Sequence, residues 1–145
     1  MHEFHIEATE VSKAPMDKVF RIASDYESVP KWSKFYKSVK IVNRVDNVTD
    51  LEVETHAFGM NEKGPGKAIA TPPNKLELQG NPKEFVRDAV FTLETVPEGT
   101  KLTYVADVKL SGVIATIVGP FEKHRIESLA KDEVKSLARY AESAN

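Results

Sequence analysis

The sequence predicts an α+β domain: a curved seven-stranded antiparallel sheet, two short helices after the first strand, and a long C-terminal helix packed across the sheet. Three observations point there. Residues Glu3–Val11 alternate polar and apolar. From Ser38 to Leu110 that period of two persists, broken only by turn-forming residues. After Gly119-Pro120 the apolar residues recur at three- and four-residue steps instead.

In the first segment Phe4, Ile6 and Ala8 share one face, and His5, Glu7 and Thr9 the other, as in a half-buried strand. Pro15 then suits a first helical turn, where its missing N–H is not needed. Val19, Phe20, Ile22 and Ala23 carry helical spacing to about Ser24. Asp25 opens a second short helix, expected to carry Trp32, Phe35 and Tyr36. The remaining strands are expected over Val39–Val45, Asp50–Phe58, Lys67–Thr71, Lys75–Gln79, Phe85–Val96 and Lys101–Leu110. Between them lie Asp46-Asn47, Gly64-Pro65-Gly66, Pro72-Pro73-Asn74, Gly80-Asn81-Pro82 and Pro97-Glu98-Gly99-Thr100, all read as turns. No helical pattern separates these strands, so consecutive hairpins are expected, not a parallel α/β sheet.

In the last segment Phe121, Ile126, Leu129, Ala130, Val134, Leu137, Ala138 and Ala141 form an apolar stripe. Lys123, Arg125, Glu127, Lys131, Asp132, Lys135 and Arg139 fill the other positions. The apolar run Val113–Val118 precedes Pro120 and reads as a short separate helix or a segment kinked at the proline.

A chain of 145 residues with a net charge of −2 fits one domain over its whole length, with no global field to attract nucleic acid. Having no cysteine excludes disulfides, thiolate metal sites and a cysteine nucleophile. The N-terminus lacks the apolar core of a signal peptide, and a cytoplasmic location is expected. Phosphate-binding loops and H-E-x-x-H are absent from the sequence. His2 and His5, three apart on a strand, point to opposite faces and are not expected to share a metal. His124 falls on the charged side of the last helix, and His56 is expected to face water unless a bulge near Gly59 reverses it. No metal or cofactor is expected.

One helix cannot cover a strongly curved sheet, and the leftover volume is a pocket for a small apolar ligand. Its expected wall includes Phe85, Arg87, Phe91 and Leu93 on one strand, with Leu102, Tyr104, Ala106 and Val108 on the next. Arg87 and Tyr104 are in phase with these apolar positions and could orient a ligand's polar end. Arg87 could equally sit at the sheet rim against a protein carboxylate, and Tyr104 could be ordinary core. Trp32 and Phe35 could form an aromatic lip, and Ile117 and Phe121 could gate the cavity; packing is the alternative for each.

The strand FHIEATEV, Ala14-Pro15 with Val19-Phe20, Asp25-Tyr26 with Val29-Pro30-Lys31-Trp32, the Gly99-Thr100 hairpin and the closing helix together resemble a known superfamily. It is the START-like or Bet v 1-like helix-grip group, in its polyketide cyclase/dehydrase-type branch. The resemblance implies a seven-stranded sheet gripping the C-terminal helix around a hydrophobic cavity. Members bind lipids, sterols, polyketides, quinones or plant hormones. Some are cyclases or hydrolases, many are carriers, and no catalytic motif is common to them.

The expected function is binding of a lipid, isoprenoid, quinone or polyketide-like molecule, as a carrier or binding protein. One alternative is a cyclase or dehydratase using the same cavity. Another is a ribosome- or chaperone-associated protein acting through Lys31, Lys34, Lys37 and Lys40, which recur every third residue. The same lysines could make a transient contact with an anionic membrane. A sheet edge or the Val113–Val118 segment could support a homodimer.

Overall fold

The computed structural model describes residues 2–57, 59–80, 86–110 and 122–144. The chain runs β1 (His2–Ser12), α1 (Met16–Ala23), a 3-10 helix (Tyr26–Lys31), then β2 (Tyr36–Val45), β3 (Val48–Ala57), β4 (Met60–Thr71), β5 (Lys75–Gly80), β6 (Val86–Val96), β7 (Gly99–Leu110) and α2 (Glu122–Ser143). The strands form one antiparallel sheet in the order β1-β7-β6-β5-β4-β3-β2. From β2 to β7 each strand pairs with the next, so the meander expected from the turn-rich spacings is present. The two short helices carry the chain from β1, at one edge, to β2, at the other. Among the described residues no helix is long and apolar enough to cross a membrane.

α2 lies against β1 and closes over the sheet. Its inward stripe, Ile126, Ala130, Val134, Leu137, Ala138 and Ala141, is buried. Alanines on that stripe allow close approach: the Ser12 hydroxyl donates to the Ala138 carbonyl at 2.9 Å. The Thr100 hydroxyl donates to the Ala14 carbonyl at 2.8 Å, joining the β6–β7 hairpin to the entrance of α1. Arg139 reaches both Glu10 and Glu142, at 3.1 and 2.6 Å, on the outer side of the same junction.

Three expectations about local structure are corrected. Gly64-Pro65-Gly66 is not a turn; it lies inside β4, which begins at Met60 rather than Lys67. Pro65 is opposite Glu52 of β3, and its neighbour Gly66 is opposite Gly80 of β5. The β3–β4 reversal falls instead at Gly59, whose φ of 78° favours glycine. The second helix is a 3-10 turn ending at Lys31, and Tyr36 opens β2. Pro30 inside that short segment removes a donor and disfavours a longer helix. Consequently Lys31, Lys34, Lys37 and Lys40 are exposed but share no helical face: they span a 3-10 end, a loop and a strand. The segment Val113–Val118 lies outside the described residues.

Candidate functional site

A cavity of ≈ 60 Å³ lies between the sheet, α2 and the 3-10 helix. Ala23, Val29, Val39, Leu51, Val53, Leu76, Leu78 and Phe91 supply apolar wall, and Tyr26, Trp32, Tyr36, Lys67, Gln79, Tyr104 and Glu133 are its polar members. A second, smaller space of ≈ 30 Å³ is bounded by Ile6, Phe35, Ala106, Val108, Ile126, Leu129 and Ala130. Tyr104 and Glu133 line both spaces.

Strand register places Tyr104. It is opposite Phe91 across the β6–β7 pair, and the two rings stack with centroids 4.7 Å apart and planes tilted by 40°. Burial raises the Tyr104 hydroxyl well above the usual tyrosine range, with smaller contributions from Tyr36 and Glu133. It is therefore a neutral donor and acceptor at any ordinary pH.

Glu133 projects from the inner side of α2 and is only 8% exposed. The Ser33 hydroxyl lies 2.9 and 2.7 Å from its two carboxyl oxygens. Ser33 in turn accepts backbone N–H groups from Phe35 and Tyr36 at 3.1 and 3.0 Å. Both lone pairs of the hydroxyl are thus used, and its single proton is directed at Glu133. Burial pushes the Glu133 carboxyl up to about 7; the Ser33 hydrogen bond works against this and Asp132 adds slightly to it. Trp32, the neighbour of Ser33, is 8% exposed, and its indole Nε1–H is buried without a partner among the described residues. The cavity wall thus carries one buried titratable carboxyl, Glu133, together with the neutral hydroxyl of Tyr104, while Lys67 and Gln79 also line it.

Of the residues expected at the site from sequence, Trp32, Phe91 and Tyr104 line the larger cavity, and Phe35, Tyr104, Ala106 and Val108 the smaller. Leu93 and Leu102 are buried core and wall neither space. Arg87 lies in β6 at a bulge between Val86 and Asp88, so the two-residue period counted from Phe91 does not determine its face. Phe85, Ile117 and Phe121 lie outside the described residues. His56 sits on the outward side of β3, bonded to Asn61, and His5 bonds Asp107 on the outer face at 3.0 Å. Among the described residues no cluster of three or more His, Asp or Glu could hold a metal.

Sequence reasoning passed over Glu133 and Ser33. The signal for Glu133 was present: it falls three residues after Ala130 and four before Leu137, within the apolar stripe of α2. A carboxylate in such a stripe marks a buried charge, and buried charges concentrate at functional sites. Ser33 carried no comparable signal, because its partner is 100 residues away.

The solved structures place this architecture among known folds. TTHA0849 from Thermus thermophilus is similar, with a TM-score of 0.81 at 17% identity, over 95% of this chain and 97% of that one. Zhui aromatase/cyclase from Streptomyces sp. R1128 is similar with a TM-score of 0.80 at 14% identity, over 97% and 94%. Ara h 8.0201 is similar with a TM-score of 0.63 at 19% identity, over 99% and 100%. At these identities the likeness is one of fold. No curated protein matches the chain in sequence. The family described as polyketide cyclase / dehydrase and lipid transport matches residues 3–142. With its seven-stranded sheet closed on a long C-terminal helix, the chain belongs to that family, within the START-like and Bet v 1-like helix-grip superfamily.

Proposed function

We propose that this chain is a single ligand-binding unit that holds a hydrophobic small molecule in the cavity lined by Tyr104 and Glu133, and acts as its carrier. The observation that carries the reading is an apolar cavity with a buried carboxyl in its wall. An ionisable side chain taken out of water is destabilising unless it is paired with an opposite charge, and Glu133 has a neutral hydroxyl instead. A role toward a ligand accounts for keeping it. The ligand classes that suit such walls are lipid, isoprenoid, quinone and polyketide-like molecules. A space of ≈ 60 Å³ takes roughly four to six waters, about a single ring, and a longer ligand has an adjoining open groove lined by Leu51, Gly66, Lys67, Gln79 and Gly80 to extend into.

Native mass spectrometry of the purified protein, with organic extraction of whatever is released, tests the reading. A stoichiometric apolar molecule supports a carrier and names its class. A bare protein that also takes up no added apolar molecule overturns it.

The cavity also favours a second reading, a cyclase or dehydratase. A carboxyl held at about 7 can both accept and return a proton near neutrality, as general acid–base catalysis requires. The description of the family and the aromatase/cyclase activity named for Zhui support this reading. An enzyme would keep ligand binding but lose turnover on Glu133→Gln; a carrier has no turnover to lose.

A further inference from the structure

Two glycines stand opposite each other in the sheet where the larger cavity meets the open groove. Gly66 of β4 pairs with Gly80 at the end of β5, and on its other side with Leu51 of β3. Residues directly opposite in an antiparallel pair share a face of the sheet. Leu51 is buried and lines the cavity, and Leu78, two residues before Gly80, lines it too, so positions 66 and 80 face the cavity. A Cβ built at Gly66 agrees: it would lie 3.8 and 4.0 Å from the two Val53 methyls, in the cavity wall, and 3.7 Å from the Gln79 carbonyl oxygen. All three are ordinary contacts, and Gly66 has none of the positive φ of Gly59 and Gly99. The fold thus has room for a side chain at position 66 and lacks one. Glycine inside a strand is normally destabilising, because it packs nothing and gains the most freedom on unfolding. Here it leaves bare main chain at the junction, where Leu51, Gly66, Lys67, Gln79 and Gly80 line both the cavity and the groove.

We propose that Gly66, with Gly80 opposite, determines the length of ligand the cavity accepts: the apolar body lies over the bare glycine pair and the far end leaves along the groove. This rests on the ligand-binding reading above and adds the ligand class, a ring bearing an extended apolar chain rather than a compact ring alone. Any side chain at position 66 projects toward Val53 and takes up space at this junction. Charge does not make the selection. Lys67 is opposite both Asp50 and Gln79, and its Nζ is 4.0 Å from the Asp50 carboxylate, with both side chains about half exposed. Glu52 lines the groove as well. The exit therefore holds both signs beside water, where they are screened, and reach is what distinguishes one ligand from another.

The test is a calorimetric titration of the full chain at pH 7 with 4-ethylphenol, 4-butylphenol and 4-hexylphenol, an uncharged ring series that differs only in chain length. Affinity of the wild type should rise at least about tenfold from the ethyl to the hexyl compound, since each buried methylene is worth roughly threefold. Gly66→Val should keep 4-ethylphenol within about threefold of the wild type and lose most of the gain with length. Gly66→Ala, for whose Cβ there is room, should lose part of that gain with a Tm at or above the wild type's, and it decides the matter if the valine variant does not fold. A wild type without the gain, variants that keep it in full, an equal loss for all three phenols, or a lowered Tm in Gly66→Ala would overturn the role of Gly66 and leave the cavity reading standing. No binding of any phenol by the wild type would overturn both.

Discussion

The Ser33 hydroxyl donates to the Glu133 carboxyl at 2.7 Å across 100 residues of sequence, joining the segment after the 3-10 helix to the middle of α2. This bond orients a buried carboxyl and lowers its pKa against the effect of burial. Burial is the larger influence and the hydrogen bond the smaller, so the group titrates near neutrality.

Stability should depend on pH through this group. The carboxyl titrates at 4.5 when unfolded and at about 7 when folded, so between those values the folded state binds more protons than the unfolded one. Stability from this group is therefore full below pH 4.5 and is lost as pH rises through 7, by about 3 kcal/mol in all. Urea denaturation of the wild type and Glu133→Gln from pH 4.5 to 8.5 checks it. The difference between the two should shift toward the variant as pH rises; a constant difference would mean that Glu133 titrates alike in both states.

Ser33→Ala should raise the Glu133 carboxyl further, because the hydrogen bond that lowers it is gone and burial remains. The Phe35 and Tyr36 N–H groups lose their acceptor at the same time. A destabilisation of about 1–3 kcal/mol is expected. Carbon-detected NMR titration of the Glu133 carboxyl reads the pKa directly, and a downward movement would contradict this account.

Gly99→Ala should be among the most damaging small substitutions. Gly99 has φ 145°, and a Cβ there would overlap the Ser12 carbonyl oxygen and lie 2.9 Å from the Lys13 backbone. Both contacts are with main chain at the β1–α1 junction, which cannot move without breaking the Ser12–Ala138 and Thr100–Ala14 bonds. A loss of about 3 kcal/mol or more is expected in thermal denaturation, with little soluble protein if the fold is only ordinarily stable.

Leu93→Ala and Phe91→Ala should separate core from cavity. Leu93 is 3% exposed and walls neither space, so its truncation should cost about 2–5 kcal/mol while leaving affinity for a ring-sized ligand nearly unchanged. Phe91 stacks on Tyr104 in the cavity wall, so its truncation should destabilise by about 3–5 kcal/mol and shift preference toward bulkier ligands. Calorimetry with the ring series measures both; identical ligand profiles for the two variants would contradict the cavity boundary.

Alternation along Glu3–Val11, the turn residues between later strands and the stripe on α2 were enough to order the elements, because each pattern is local and repeats over several residues. The same logic put Phe91 and Tyr104 on one face, since register in a tight hairpin follows from the turn. It failed where a neighbouring strand decides. Gly64-Pro65-Gly66 has turn composition, yet it stays extended in β4 because β3 pairs along its full length. At Arg87 the bulge after Val86 breaks the count. The site shows the same division. That α2 carries a carboxylate within its apolar stripe can be read from the chain. That Ser33 meets it, that the buried Trp32 donor has no partner among the described residues, and that Tyr104 and Glu133 line both spaces were settled only by tertiary packing. Residues far apart in sequence are brought together there, and no periodicity along the chain encodes such a distance.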